Sequence, residues 1–594
     1  MFDLKKDRLN YGALLSPPEG YSLERAIGTT YSLDLHALLA LPIAMIYSKS
    51  MEGNFTYNRY DVLQAIRECS DKVDLFCQKG NIGISSNYNN LLVFMEGCIT
   101  EVTLQQVNSA FHSKIWVLKY VKGKETIFRF IALSRNLTFN RSWDVSFYTD
   151  GTISKSKNPQ SEKLSLFLKS LYDMTGQTLP ETFIEEVEQV SFNLPEGFLH
   201  MEFFPIQNFT KEMDVLYNPM LQLKYDKVLA ISPFMDNNFL SKLRKNCTKL
   251  TFLSRQEELD KMKAAGLKGV NYFVHNTNIV EGEERMDSEE DITRSQNIHA
   301  KMFVCDSGDH TDWILGSANA TSPAVNDNVE MLVLLRTESK KHRLKAFKRY
   351  ILKEENNFFI PYEPKEIEKD EEKERVEDLI RNFLFELSKL LITGRAESEL
   401  TNENYQVIFN IPAQELGYPE FSLHCKLIHT DKSKKQHVEL GMDSELVFQN
   451  VSIVNLSQYL VFYITHKQTG EEKSVVYKID MDLPEEREDV IFNRIINNQD
   501  KFFQMLQFIL QTEDPSSSVY INRKRGEEIG NSGSLGDALG LGSSVYESLL
   551  LAASRNPSRL KEIDKIVTSL EKHNKDIVLD FLPLWKVFKT FIHE

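Results

Sequence analysis

The chain has 594 residues, 42% of them hydrophobic, which suits two to four packed domains and excludes a disordered protein. A formal net charge of −15 excludes a uniformly basic nucleic-acid coat, because phosphate backbones repel an acidic surface. Six cysteines (69, 77, 98, 247, 305 and 425) show no paired or CxxC spacing. That excludes a disulfide scaffold and a zinc finger, and it predicts buried free thiols in the reducing cytosol.

The N-terminus, Met-Phe-Asp-Leu-Lys-Lys-Asp-Arg, carries no apolar signal-peptide core. The apolar run Leu35–Tyr47 contains Pro42 and is too short to span a bilayer, so it is expected as a buried helix and no membrane contact is expected. Residues 1–154 read as a first α/β lobe. In it Gly28-Thr-Thr-Tyr-Ser-Leu-Asp34 is a strand ending in polar residues, followed by an acid at a helix start, and Lys72–Gln78 is a short apolar strand. His112-Ser-Lys114 lies on an apolar stretch, Ser134-Arg-Asn136 on another, and Asp144 follows. Residues 155–225 hold helical patterns at Ser161–Gly176 and Pro180–Val190 and a strand near Phe198–Pro205, joining this lobe to the next.

Residues 226–362 read as a second lobe with the same sequence of features. Ile231-Ser-Pro-Phe-Met-Asp236 echoes the stretch up to Asp34, and Lys249–Arg255 echoes Lys72–Gln78. His299-Ala-Lys301, Gly316-Ser-Ala-Asn319 and Glu330 then repeat the first lobe's order. The offset holds: 187 residues between the histidines, 183 between the asparagines and 186 between the carboxylates. The N-terminal 360 or so residues are therefore read as a tandem duplication with one composite site at the junction.

In a strand the His and Lys of an HxK share a face, and an antiparallel return can bring Ser and Asn beside them. Two copies then supply two imidazoles, two ammonium groups, two amides and two carboxylates, the equipment for phosphodiester cleavage through a phosphohistidine. His112, Lys114, Asn136, His299, Lys301 and Asn319 are the expected catalytic set. Ser134, Ser317, Asp144, Glu330 and Asp306 are the expected supporting set. No carboxylate cluster with metal spacing accompanies them, so neither metal nor cofactor is expected.

An HxK triplet alone decides nothing, since with 13 His roughly one arises by chance. His424-Cys-Lys426 and His573-Asn-Lys575 have aspartates at plausible spacing (Asp431, Asp580) but no SxN on a second apolar strand, and both are read as non-catalytic.

The second copy (His299, Lys301, Asp306, Gly316, Ser317, Asn319) resembles the phospholipase D superfamily signature, H-x-K-x4-D followed by G-S-x-N, with extra residues between Asp306 and Gly316. The first copy departs from it at Lys119, where the Asp should stand, and at Leu133, which replaces the Gly. A tyrosyl-DNA phosphodiesterase branch also lacks that Asp, so the resemblance makes Asp306 structural and leaves the chemistry with His, Lys and Asn. It also implies His112 as nucleophile, His299 as acid/base and a pseudo-twofold meeting of the two copies. The stretches Gly28–Asp34 and Leu133–Asp144 resemble bacterial phospholipase-D-like proteins associated with DNA processing or phage defence. The expected substrate is nucleic acid, DNA first, because the chain reads as cytosolic, unanchored and locally basic around the motifs. The accessory segments and the resemblance together suggest the expected partners, a second copy of the chain and an ATPase or helicase. The alternatives are a phospholipase or phosphatidyl-transferase, and a non-catalytic nucleic-acid-binding protein.

Basic residues cluster in sequence around the motifs: Lys119, Lys122, Lys124, Arg129, Arg135 and Arg141, then Lys242, Arg244, Lys245 and Lys249. A basic cleft in an acidic protein is therefore expected, with the acidic run Glu281–Asp291 near its mouth. Beyond the lobes, residues 363–400 read as a charged helical connector (Pro364–Leu391), and 401–512 as a β-rich accessory domain followed by helices from about 486. Residues 513–544 read as a Gly/Ser-rich flexible linker and 545–594 as a helical tail, with helices around Val545–Ala553 and Pro557–Lys572.

Overall fold

The computed structural model describes residues 11–46, 59–83, 88–138, 142–207, 220, 223–262, 269–276, 297–353, 358–365, 371–399, 404–414, 417–510, 549, 552 and 557–592. Seven strands form one mixed sheet: β1 (Ser22–Thr30), β2 (Val73–Gln78), β3 (Ile99–Val102), β4 (Ile115–Lys122), β5 (Glu125–Leu133), β6 (Ser146–Ile153) and β7 (Val190–Phe192). Their order is β7-β6-β5-β4-β1-β2-β3. Eight more form a second sheet: β8 (His200–Ile206), β9 (Tyr225–Ile231), β10 (Cys247–Ser254), β11 (Val270–His275), β12 (Met302–Asp306), β13 (Thr311–Gly316), β14 (Glu330–Thr337) and β15 (Phe359–Pro361). Their order is β8-β14-β13-β12-β9-β10-β11-β15.

Apart from β15 the two orders are the same. Three parallel strands (β1, β2, β3 and β9, β10, β11) lie beside an antiparallel meander (β4, β5, β6 and β12, β13, β14) with one outer strand. The sequence duplication is thus a duplication of topology in a mixed α/β fold. The outer strands β7 and β8 follow each other in the chain, so the joining segment contributes an edge to each sheet.

The sheets pack through β5 and β6 against β13 and β14, with the helices Pro159–Thr175 and Glu181–Glu188 in the same core. Phe130 of β5 meets Phe203 of β8 edge-on at 4.7 Å across the lobes, a geometry worth about 0.5–1.5 kcal/mol beyond its buried area. The first helix is bounded as its sequence dictates. Asn158 accepts from the Gln160 backbone N–H, Pro159 opens the first turn, and Gly176 ends it at φ +68°. The expected apolar helix is present as Leu35–Ile46, and all six cysteines are buried and free. No helix among the described residues is long and apolar enough to cross a membrane.

The C-terminal strands are β16 (Thr393–Ser398), β17 (Asn404–Ile411), β18 (Phe421–Leu427), β19 (Ser444–Ser452), β20 (Tyr459–His466), β21 (Glu472–Lys478) and β22 (Asp480–Asp482). One sheet runs β19-β17-β16-β22. The other takes two strands from the first lobe, Leu33–Asp34 and Ile82–Gly83, beside β21, β20, β18 and Gln436–His437. Two-residue strands carry no periodicity, so this join is invisible in the sequence. The connector helix is observed as Glu371–Ser388, and helices follow at Arg487–Ile495, Gln499–Leu510 and Pro557–His573. All of this packs on the outer face of the first lobe, in a core that includes no residue of the second. The expected linker at 513–544, most of the helix around Val545–Ala553 and the acidic run Glu281–Asp291 lie outside the described residues.

Candidate active site

Both HxK triplets lie just ahead of their strands, β4 and β12, rather than inside them as the alternation argument expects. Each lysine folds back on its own histidine: Lys114 Nζ donates to the His112 carbonyl at 2.8 Å and Lys301 Nζ to the His299 carbonyl at 2.9 Å. Each triplet is delivered by a strand-like bridge to the other lobe. Phe111 pairs with Val329, and the His112 N–H donates to the Val329 carbonyl at 2.9 Å. Asn297–Ile298 pairs with Ser142–Trp143, and the His299 N–H donates to the Trp143 carbonyl at 2.9 Å.

The orienting groups cross over in the same way. His112 Nδ1 lies 2.9 and 3.0 Å from the two carboxylate oxygens of Glu330, at the start of β14 in the second lobe. His299 Nδ1 lies 2.8 Å from the Ser134 carbonyl and 3.6 Å from Asp144 Oδ1, both in the first lobe. Lys301 Nζ also reaches the Ser134 carbonyl, at 3.3 Å. Two motifs 187 residues apart therefore form one site. With Nδ1–H donating in both rings, each Nε2 keeps a free lone pair.

Both SxN triplets sit where β5 and β13 end. The hydroxyl of Ser134 accepts the Val145 N–H at 2.9 Å and donates to Asp144, which also accepts from Ser142 Oγ at 2.8 Å. Ser317 Oγ accepts the Met331 N–H at 3.0 Å. The next residues are pinned alike: the Leu137 N–H donates to Thr30 Oγ1 at 3.0 Å and the Ala320 N–H to Ser232 Oγ at 2.9 Å. The amide oxygens of Asn136 and Asn319 are buried without a partner. Gly316 adopts φ +146°, and an added Cβ would collide with the Met331 carbonyl, so the second copy needs its glycine there. Leu133 meets no such demand; its N–H simply donates to the Lys114 carbonyl at 2.9 Å.

Burial dominates the electrostatics. It lowers His112 to about 4 against the pull of Glu330, with Lys114 and Lys301 pushing the same way as burial. Burial also lowers His299 to about 4, against Asp144, with Lys301 and Lys114 adding to the shift. Lys301 falls to about 7 through burial, opposed by Asp144 and Glu330. Lys114 falls well below its ordinary value through burial and the nearby Lys301. Burial alone would raise Glu330, but His112 and Lys114 outweigh it and hold the carboxyl below its usual range. Two imidazoles and two crowded lysines whose charged forms burial disfavours make a site that gains from an entering anion.

The expected basic cleft is not formed by the residues that predicted it. β4 leaves the site and β5 returns to it, which carries Lys122 and Lys124 to the far hairpin. Lys119 pairs there with Glu24 at 2.7 Å and Glu186 at 2.6 Å, and Arg129 pairs with Asp150 at 2.6 Å. Lys242, Arg244 and Lys245 end a helix, and Lys249 begins the strand after it, away from the strand ends that bear the site. Arg135 stays close, 3.9 Å from Asp144, and Arg141 lies outside the described residues. Asp306, at the far end of β12, pairs with Arg343 at 3.1 Å. Lys119 is its counterpart with the charge reversed, and both positions serve local ion pairs.

His424 sits on β18 in the C-terminal sheet, 5.1 Å from the His437 ring, and Lys426 Nζ donates to local carbonyls including that of Ile428 at 3.3 Å. His573 ends a C-terminal helix.

Several supporting residues have no motif. Asn328 donates to Glu330 at 3.0 Å and accepts the Ala110 N–H at 2.9 Å. Gln78 accepts the Phe111 N–H at 2.7 Å, and Arg255 donates twice to the Ile298 carbonyl, at 2.9 and 2.8 Å. Gln78 and Arg255 thus brace the residue before each histidine. The Tyr31 ring meets His112 edge-on at 5.2 Å with Lys114 Nζ 5.7 Å from its centroid. The sequence signals here were two echoes, one between the segments ending at Asp34 and Asp236 and one between Lys72–Gln78 and Lys249–Arg255, whose last residues are the two braces. Asp34 accepts the His36 N–H at 2.8 Å and Asp236 the Phe239 N–H at 2.7 Å, as helix starts require.

No family model matches the chain, and no curated protein matches it. Among solved structures, a phosphatidylserine synthase of Haemophilus influenzae Rd KW20 is similar at TM-score 0.35 and 11% identity, over 64% of this chain and 91% of that one. A polyphosphate kinase from Porphyromonas gingivalis is similar at TM-score 0.32 and 11% identity, over 64% of this chain and 50% of that one. Likeness at this level says nothing about substrate.

Proposed function

We propose that the chain is a metal-independent phosphodiesterase that works through a covalent phosphohistidine, with nucleic acid, DNA first, as its substrate. The observation that carries this reading is the convergence of two His–Lys–Asn sets, each histidine oriented from the opposite lobe.

His112 is the nucleophile. Its Nδ1–H points at an ionised, fully buried Glu330, which raises the electron density at Nε2. Nε2 attacks phosphorus, the N–P bond forms and the bond to the leaving oxygen breaks. A protonated His299 Nε2 gives its proton to that oxygen; the bound phosphate anion favours the imidazolium that burial alone disfavours. His299, neutral again, then takes a proton from water as the water oxygen attacks phosphorus, and the N–P bond breaks. Lys114, Lys301 and the amides of Asn136 and Asn319 hold the non-bridging oxygens, in a dry site where such contacts count most.

For the substrate, the exposed Phe234 ring lies on the loop that follows β9, with the Arg255 guanidinium 4.9 Å from its centroid. A ring backed by a cation beside a phosphate site suits a polyanion with planar bases. The test is incubation with labelled single-stranded DNA, RNA and phosphatidylcholine in EDTA. Cleavage of DNA with an acid-labile phosphorus label on His112 is expected. Turnover of phosphatidylcholine alone would replace the substrate, and no turnover of any diester would refute the activity.

A further inference from the structure

The segment Gln78–Gly83, between β2 and the helical turn Asn90–Met95, faces two ways. Toward the site, the Gln78 side chain accepts the Phe111 N–H at 2.7 Å, next to His112. The Asn81 carbonyl also accepts the Leu33 N–H at 3.0 Å, and Leu33 bridges to Leu137, next to Asn136. Away from the site, Ile82 pairs with Val476 of β21, and Lys79 Nζ lies 5.3 Å from the Tyr477 ring centroid. A Cβ on Gly80 would come within 2.8 Å of that ring. The Lys478 N–H donates to Glu101 at 2.8 Å, and the same carboxylate accepts the Gly80 N–H at 3.1 Å.

Among the described residues the second half-site has no such attachment. Arg255 braces Ile298 there as Gln78 braces Phe111, but the core that holds the C-terminal strands contains no second-lobe residue. The two halves share a fold and differ in what leans on them.

We propose that the C-terminal β unit sets the geometry of the His112 half-site alone, through Gln78–Gly83, with Gln78 as the positioning residue that passes it to Phe111 and His112. This deepens the phosphodiesterase reading, since it regulates that same site. Gln78 fixes the Phe111 backbone, and with it the adjoining His112, from a segment whose other side is β21. Displacing β21, by a partner or by substitution, loosens one imidazole and spares the other.

The experiment uses the full chain with nitrogen-labelled histidine. Tyr477→Leu alters the join far from the chemistry, and Gln78→Leu removes the brace on the Phe111 N–H. Tyr477→Leu and Gln78→Leu are expected to shift the His112 ring resonances and leave those of His299 in place. Their effects on kcat should be non-additive by about fivefold or more, the signature of two sites biasing one element. Equal shifts at both histidines, or none at either, would overturn the proposal. The resonances need no turnover, so a protein that cleaves no diester yet shows the selective His112 shift would sink the activity and sustain the coupling.

Discussion

Glu330→Gln tests the crossed orientation of the histidines directly. Glu330 is fully buried, accepts from His112 Nδ1 at 2.9 and 3.0 Å, and also accepts from Asn328 Nδ2 at 3.0 Å. An amide has one acceptor oxygen for these two donors. If that oxygen serves Asn328, the amide N–H₂ faces His112 and selects the tautomer with the proton on Nε2, which cannot attack. An orienting carboxylate made amide in a Ser-His-Asp site costs about 10⁴ in kcat for this reason, and a loss of that order is expected here. Asp144→Asn is the control. Asp144 stands 3.6 Å from His299, whose Nδ1–H is already held by the Ser134 carbonyl at 2.8 Å, so the tautomer survives and the loss is expected at about tenfold. The difference, about 10³, corresponds to about 4 kcal/mol at 1.36 kcal/mol per decade. Turnover of a chromogenic phosphodiester would be measured for both variants, with thermal melts to show that each is folded. Equal losses, or a greater loss for Asp144→Asn, would refute the asymmetric assignment of roles.

Lys301, lowered to about 7, carries its charge below that pH and loses it above. Affinity for dimethyl phosphate, whose own charge is constant there, should therefore weaken above about pH 7 by up to tenfold per unit, and Lys301→Arg should flatten the profile. Burial lowers His112 and His299 to about 4, so the unfolded chain, with ordinary histidines near 6.5, binds more protons between those values. Their contribution to stability is thus full above about pH 6.5 and lost as pH falls toward about 4; denaturant melts of the double His→Asn variant should lose this part of the pH dependence. Ala at His112 or His299 should abolish turnover without additivity, whereas His424→Ala and His573→Ala should change it only a few-fold. Lys119→Met should cost about 1–2 kcal/mol in a denaturation melt, because its partners Glu24 and Glu186 are partly solvated, and leave kcat unchanged.

The parts of the fold that repeat were legible because repetition is local. The matched order of strand, HxK, SxN and carboxylate reported two lobes of one topology, and Asn158, Pro159 and Gly176 bounded a helix by their own chemistry. The basic residues misled because sequence proximity to a motif is not spatial proximity. In a strand, each residue from Ile115 to Lys122 moves about 3.3 Å further from the site. Crossed contacts such as His112 to Glu330, and side-chain braces such as Gln78 to Phe111, depend on how the lobes meet, and no periodicity encodes that. The join of β21 to Ile82 was hidden for the same reason.

The exchange of orienting groups between lobes has a consequence for separability. In an isologous twofold contact, what one half gives, it also receives. Here the bridge of Phe111 to Val329 is answered by Ile298 with Trp143, and Glu330 on His112 by Ser134 and Asp144 on His299. A single lobe would carry a histidine with nothing to orient it and a carboxylate with nothing to orient. Either lobe expressed alone is half of two unfinished sites, and the fused chain is built as a dimer whose partner can never dissociate.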